Sequence, residues 1–503
     1  MKGKVFFFVW ENHRPDTSKR ITITIQTQHN NHTMEASVFT HWCNTVGLDV
    51  KPHQIAGHEW CMQQENDADN RGGIICDEMG LGKTILMLAC IASNPKKNTL
   101  IVVPPALLEQ WRGCIQKYLK HEAYVYHGLK AKKATVEELK KHPIVLTTYG
   151  MMSMRKKPLN YKSLLWGPHM KWDRLICDEA HHMRNIKTGM CKGAFRILAN
   201  IRWMVTGTPI QNKKADLRVL FAHTGLMVNG EKKFHSAIKR KILRRTKVSV
   251  GIKMPVLTSE TVTVEWESQQ EKNLAASIHN TLPVFGAHVT RENVHELMEF
   301  MDYESPLPLF VRARQVCIYP PILQKVLRKM KQDNIVPDSF TMKKIPTASK
   351  INAVIKKVIS EPKECRKIIF CHYRGEIDAL AERLREHEYR VGIYDGRTSK
   401  LQRNSLCQND ENAPDVLIAQ IKSASEGLNL QHFTQVYFTS PHWNPAVEDQ
   451  AVARAHRIGQ TNAVKVFRFV MAPFKQDEQT LDNFCIDIQN TKRDLMRLIE
   501  PEN

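Results

Sequence analysis

Between Ile74 and Pro209 the chain alternates short apolar runs with amphipathic stretches of helical length. "GIIC" precedes "KTILMLACIAS", and "TLIVVPP" precedes "ALLEQWRGCIQKYL". "AYVYHG", "ATVEELKKH", "PIVLTTYG", "DRLICDEA" and "IRWMVTGTP" continue the pattern. The strand-like runs are continuously apolar, as strands covered on both faces are, so the pattern predicts a parallel sheet flanked by helices. A second block starts near Lys350, with "KINAVIKKVIS", "KIIFCHY", "EIDALAERLREHE", "YRVGIYDG", "DVLIAQI", "QVYFTSP" and "VKVFRFVMA". The fold class is therefore α/β with two lobes. Residues between Gln211 and Ala348 read as mostly helical and polar. The first fifty residues read as two short strands, Val5–Trp10 and Ile21–Thr27, and a helix near Met34–Val46, to which the pattern assigns no function.

A length of 503 residues suits several cores. Lys and Arg exceed Asp and Glu by 73 − 51 = 22, which points to a polyanionic partner: nucleic acid first, an anionic membrane surface second. The run "KRKILRRTK" at Lys239–Lys247 reads either as a solvated helix face or as a nucleic-acid contact. Twelve cysteines lie singly with no C-x-x-C pair, which argues against zinc ribbons and disulfide frameworks and suits a reducing compartment. No apolar run approaches the roughly 18–20 residues needed to span a bilayer. The segment "KVFFFVW" lacks the length and cleavage site of a secretion signal. These features imply the nucleus, the cytoplasm or a viral replication site.

"CDEMGLGKT", Cys76–Thr84, carries the end of the phosphate-loop pattern G-x-x-x-x-G-K-[ST] but has Asp77 where that pattern has its first glycine. Amides of Met79, Gly80, Leu81, Gly82, Lys83 and Thr84, ahead of a helix, can cradle phosphates. Lys83 then reaches the β and γ phosphates and Thr84 ligates Mg²⁺. Gly80 and Gly82 are the positions where a Cβ would obstruct the approach. In "RLICDEAHHMRN" a buried strand delivers Asp178 and Glu179 at the carboxyl edge of the sheet, where ligands of open α/β sheets bind. Asp178 suits Mg²⁺, held largely through water. Glu179 suits orientation and deprotonation of an attacking water.

"DEMGLGKT", "DEAH", "VTGTPIQN" and "QAVARAHRIGQT", in this order, resemble the Swi/Snf-type ATPases of helicase superfamily 2, whose loop commonly has the aspartate. The resemblance runs from about Lys51 to about Ile499. It implies two RecA-like lobes with helical insertions between motifs and a C-terminal brace helix. The implied divisions are an extension at 1–50, a first lobe at 51–230, a helical linker with protrusions at 231–348, a second lobe at 349–475 and the brace at 476–503. Gln54 in "KPHQ" becomes the adenine reader, and Thr147 and Thr148 in "LTTYG" become DNA-backbone contacts, which position without reading sequence. "TGTP" (Thr206–Pro209) resembles the motif that couples hydrolysis to lobe movement, and "LRRTK" (Leu243–Lys247) and "RQVCIYPPIL" (Arg314–Leu323) also have counterparts. Gln450, Arg454 and Arg457, at i, i+4 and i+7, share one face of a helix, and in the family that face meets the γ-phosphate. A guanidinium there is worth about 10³–10⁵ in rate in related NTPases. Asn429 and Trp443 become nucleic-acid contacts, although Trp443 also reads as a core residue.

One departure is Ser423-Ala424-Ser425, where the family commonly has Ala-Gly-Gly. The resemblance implies ATP and Mg²⁺ as cofactors, double-stranded DNA as partner and DNA-bound proteins as what is displaced. It implies no membrane, and action as a monomer or within a larger complex. The shortness of the chain outside the motor is similar to the short relatives encoded by large DNA viruses. Strand separation on DNA or RNA, and a catalytically silent scaffold, are the competing readings. The presence of Lys83, Asp178, Glu179, Arg454 and Arg457 counts against the scaffold.

Overall fold

The computed structural model describes residues 5–9, 21–25, 31–154, 163–211, 213–282, 307–345, 347–408, 410, 413–424, 428, 430–475 and 478–499. The chain divides into two compact units, Met1–Ile252 with Leu498–Asn503, and Lys253–Arg497.

In the first unit β1 (Val5–Val9) and β2 (Ile21–Ile25) form an antiparallel pair. Helix α1 (Asn31–Thr45) sends Phe39, Trp42 and Cys43 into the core, so this helix is part of the unit's packing. Helix α2 (Pro52–Asn66) opens with proline at its first position, where the missing N–H costs nothing. The main sheet has seven parallel strands: β3 (Gly72–Ile75), β4 (Thr99–Val103), β5 (Tyr124–Tyr126), β6 (Ile144–Thr148), β7 (Lys171–Asp178), β8 (Leu198–Val205) and β9 (Ile242–Leu243). Their order is β5-β6-β4-β7-β8-β3-β9. Residues Ile75, Val205 and Asp178 align across β3, β8 and β7, so three loops leave the sheet side by side.

The second unit holds six parallel strands, β10 (Leu257–Val264), β11 (Lys367–Cys371), β12 (Val391–Tyr394), β13 (Val416–Gln420), β14 (Gln435–Phe438) and β15 (Val464–Met471). They are ordered β10-β15-β14-β11-β13-β12. Successive residues serve opposite faces: Ile369 and Cys371 join one apolar cluster, Ile368 and Phe370 the other. This double coverage is the cause of the unbroken apolar runs in the sequence.

The stretch read as a mostly helical linker supplies two edge strands, β9 to the first sheet and β10 to the second. The C-terminal helix Leu481–Met496 packs on β15 and on the Pro445–Ala455 helix. Its Asp482 accepts from Lys350 and from Ser440 (2.7 Å), and its Gln489 donates to Glu448 (2.7 Å).

Candidate functional site

The phosphate-loop sequence follows β3 and opens helix α3 (Lys83–Ser93). Gly80 and Gly82 have φ of +97° and +85°, a conformation that side chains with a Cβ rarely adopt. Their placement turns the loop so that successive amides precede the helix N-terminus, an arrangement suited to anions. Leu81 turns its side chain into the core at 2% exposure, so its contribution to a ligand is confined to the backbone. The Leu81 carbonyl accepts from Gln54 Nε2 (3.4 Å) and lies 3.3 Å from His53 Nε2. A Cβ at Gly82 would stand 2.4 Å from Gln54 Nε2. The sequence-predicted base reader and the loop are therefore in direct contact.

Lys83 Nζ donates to the carbonyls of Asp77 (2.8 Å) and Glu78 (3.4 Å). A Cβ at Gly207, in the Thr206–Pro209 turn after β8, would lie 3.6 Å from the same nitrogen. At the end of β7, Asp178 Oδ2 accepts from Trp111 Nε1 (2.8 Å) and Oδ1 from the Glu179 amide (3.0 Å). Burial, then the neighbouring Glu179 charge, pushes the Asp178 carboxyl up to about 6. A cation at this carboxylate would oppose both effects. With the Thr84 hydroxyl at the start of α3, the donors are hard oxygens of the kind Mg²⁺ takes, so the residues present fit the ion.

Glu179 adopts the left-handed conformation at φ 52° and ψ 49° and lies 3.3 Å from His181 Nδ1. His181 Nδ1 also lies 3.0 Å from Thr206 Oγ1, which accepts from the Thr208 amide (3.2 Å). Side-chain contacts thus join the "DEAH" and "TGTP" stretches. Tyr149 donates to the Asp178 carbonyl (2.5 Å), bracing the same corner.

Other expected site residues stand differently. Thr147 and Thr148 have 0% and 1% exposure. The Thr147 hydroxyl donates to the Tyr126 carbonyl (2.8 Å), and that of Thr148 lies 3.2 Å from His127 Nδ1. Both side chains pack within the sheet, with their hydroxyls already engaged. Gln450 and Arg454 lie on the Pro445–Ala455 helix, but Arg457 does not continue its face. The helix stops at Ala455, whose carbonyl accepts from Gln460 Nε2 (3.1 Å), and the chain turns through Gly459 at φ +97°. The Arg314 guanidinium lies 4.6 Å from the centre of the Trp443 ring, and that half-buried ring packs against the second unit's core. Asn429 and the Ser425–Gly427 stretch lie outside the described residues.

The basic run at Lys239–Lys247 fits neither of its two readings as a whole. Lys241 is buried, donating to Gln64 (2.7 Å), Asp67 (2.8 Å) and the Asn70 carbonyl (2.7 Å). Arg245 pairs with Asp77, and Lys247 with Glu78 at 2.9 Å. Three of the run's cations are engaged inside the first unit by acids that lie far off in sequence. Trp111, Arg245 and Lys247 are neighbours of the site that sequence reading missed. Each stood in a quoted motif, but its partner lies 67 to 169 residues away.

Two parallel-sheet lobes, with a phosphate loop and an Asp-Glu pair at the carboxyl edge of the first, define a helicase-like ATPase. The chain belongs to the SNF2-related family: the SNF2-related domain matches residues 53–321 and the helicase conserved C-terminal domain residues 349–459. It is 25% identical, over 88% of its length and 89% of the relative's, to a probable global transactivator of Orgyia pseudotsugata multicapsid polyhedrosis virus. It is 27% identical to an uncharacterised ATP-dependent helicase of Mycoplasma genitalium, over 90% of this chain and 43% of that one. A DNA repair protein of Arabidopsis thaliana is 23% identical over 80% of this chain and 44% of its own length. The chain thus spans nearly all of the viral relative and less than half of the other two. A Sulfolobus solfataricus SWI2/SNF2 ATPase core, solved in complex with double-stranded DNA, matches 90% of this chain and 98% of its own at 21% identity and a TM-score of 0.37. Among the described residues no helix is long and apolar enough to cross a membrane.

Proposed function

We propose that this chain is an ATP-driven translocase on double-stranded DNA that moves or displaces proteins bound to the duplex. The observation that carries the ATPase half is the convergence of the Gly80–Thr84 loop, Asp178-Glu179 and the Thr206–Pro209 turn, tied by His181 and Thr206, at one sheet edge. The DNA half is supported by family membership and by the excess of 22 cationic side chains over acidic ones. A relative named for DNA repair is consistent with it.

In this reading the loop amides and Lys83 bind the phosphates, and Gln54 contacts the adenine. Thr84 and Asp178 would hold Mg²⁺, which would supply charge neutralisation for phosphoryl transfer. Trp111 fixes the Asp178 carboxylate through its indole N–H. Glu179 accepts a proton from the attacking water.

The test is ATP turnover with duplex DNA, single-stranded DNA and RNA at one salt concentration, with displacement of a triplex strand as the translocation readout. Duplex-stimulated turnover with triplex displacement, and no strand release from a forked duplex, is expected. Stimulation by RNA alone, or ATP-dependent release from the fork, would replace this reading with an RNA-directed or strand-separating one.

Backbone binding also sets the salt response. Each neutralised phosphate adds about −0.9 to the slope of log affinity against log salt. With about four phosphates gripped, the duplex concentration giving half-maximal turnover should rise about 100-fold between 50 and 200 mM salt. Duplexes of unrelated sequence should share that slope, since phosphate contacts carry no sequence information.

A further inference from the structure

β9 lies parallel to β3, with Ile74 opposite Ile242 and Ile75 opposite Leu243. The ladder continues beyond the strands: the Cys76 amide donates to the Leu243 carbonyl (2.7 Å) and the Glu78 amide to the Arg245 carbonyl (2.8 Å). The start of the phosphate loop is thereby stitched to a segment about 170 residues further along.

Arg245 projects from this segment between two elements of the nucleotide site. Its Nε donates to Asp77 Oδ1 (3.0 Å) and its Nη2 to Asp77 Oδ2, a forked pairing with a carboxylate that is 1% exposed. Its Nη1 donates to the carbonyl of His53, in the first turn of α2. Helix α2 has Gly57 where the guanidinium lies: a Cβ there would meet Nη1 and Nη2 at 2.7 Å. Gln54, next to His53, contacts the loop through the Leu81 carbonyl at 3.4 Å. Lys247 adds a second tie, its amide donating to Glu78 Oε2 (2.7 Å) and its ammonium lying 2.9 Å from Oε1.

We propose that Arg245 is a positioning residue for nucleotide binding, which locks the Gln54-bearing helix to the phosphate loop, with Gly57 as its seat. This assigns a use to Asp77, the residue that departs from the general phosphate-loop pattern. The inference rests on the ATPase reading. Base contact and phosphate contact come from different chain segments, and affinity for the whole nucleotide requires both in one fixed geometry. A lysine at 245 would keep the charge but lose the fork that spans the carboxylate and the carbonyl. An alanine at 57 would leave both ionic partners present and favour the helix, yet would push the guanidinium away.

The experiment compares wild type, Arg245→Lys and Gly57→Ala in the full chain. Binding of fluorescent ATP and GTP analogues, steady-state turnover and the melting midpoint are measured. Both variants should weaken ATP binding by about 10- to 100-fold, as loss of groups that orient direct ligands typically does. KM should rise more than kcat falls, and the preference for ATP over GTP should shrink. A lowered melting midpoint with unchanged base preference and affinity would mean a merely structural role and overturn the proposal. Variants that match a nucleotide-binding wild type would overturn the clamp alone. A wild type that binds no nucleotide would overturn the ATPase reading and the clamp together.

Discussion

Glu179→Gln is expected to lower ATP turnover by about 10²–10⁴, the range that a positioned general base contributes, while ATP affinity stays within about threefold of wild type. The amide keeps the shape and the approach to His181 but accepts no proton from water. Its backbone remains left-handed, so the corner between β7 and the following turn is preserved. Single-turnover hydrolysis and fluorescent-nucleotide binding, run on the same preparation, separate the two effects. Turnover within tenfold of wild type would remove Glu179 from the role of base and leave proton acceptance to another group.

Arg174→Met should destabilise the first unit by about 3–5 kcal/mol, the cost of leaving one member of a buried ion pair without its partner. Arg174, in β7, and Glu65, near the end of α2, both have side chains with 0% exposure. Arg174 Nε and Nη2 bond the two Glu65 oxygens at 2.8 and 2.5 Å. Trp203 (2.9 Å) and Asn94 (2.6 Å) complete the carboxylate's shell, so the acid lies in a preformed polar socket. A unit of this size loses about 2–4 °C of melting midpoint per kcal/mol, so calorimetry should show the first unit's transition falling by about 6–20 °C. Glu65→Gln with Arg174→Met should recover part of the loss, because no charge is then buried alone. A shift under 3 °C in the single variant would mean that water reaches Glu65 and replaces its partner. The pair matters to the site because α2 carries Gln54 at its other end and β7 carries Asp178 and Glu179 at its own.

The features that local chemistry dictates were legible in the sequence. "GIIC" and "RLICDEA" are apolar because their strands are covered on both faces, and the loop glycines occupy positive φ. Two parallel lobes followed from those runs. Pairings across long sequence separations were not legible. The charges of Lys241, Arg245 and Lys247 look like a surface run because nothing nearby in sequence neutralises them; Asp67, Asp77 and Glu78 do so only after β9 docks beside β3. Helical periodicity placed Arg457 on the face of Gln450 and Arg454. It could not register that Gln460 folds back onto the Ala455 carbonyl and ends the helix. Thr147 and Thr148 have the side chains that phosphates favour, yet those hydroxyls serve Tyr126 and His127 across the sheet edge.

The left-handed backbone at Glu179 sets activity against endurance. A non-glycine residue in that conformation costs roughly 1–2 kcal/mol, and glycine would escape most of it. Set against the about 0.4–1 kcal/mol that glycine adds to the freedom of the unfolded chain, Glu179→Gly should come out neutral to about 1 kcal/mol more stable, and inactive. A population of variants selected only for surviving heat would therefore drift toward glycine at this position, and its hardiest members would be silent. Retention of glutamate through such a selection would mean that the corner is held by contacts glycine cannot replace.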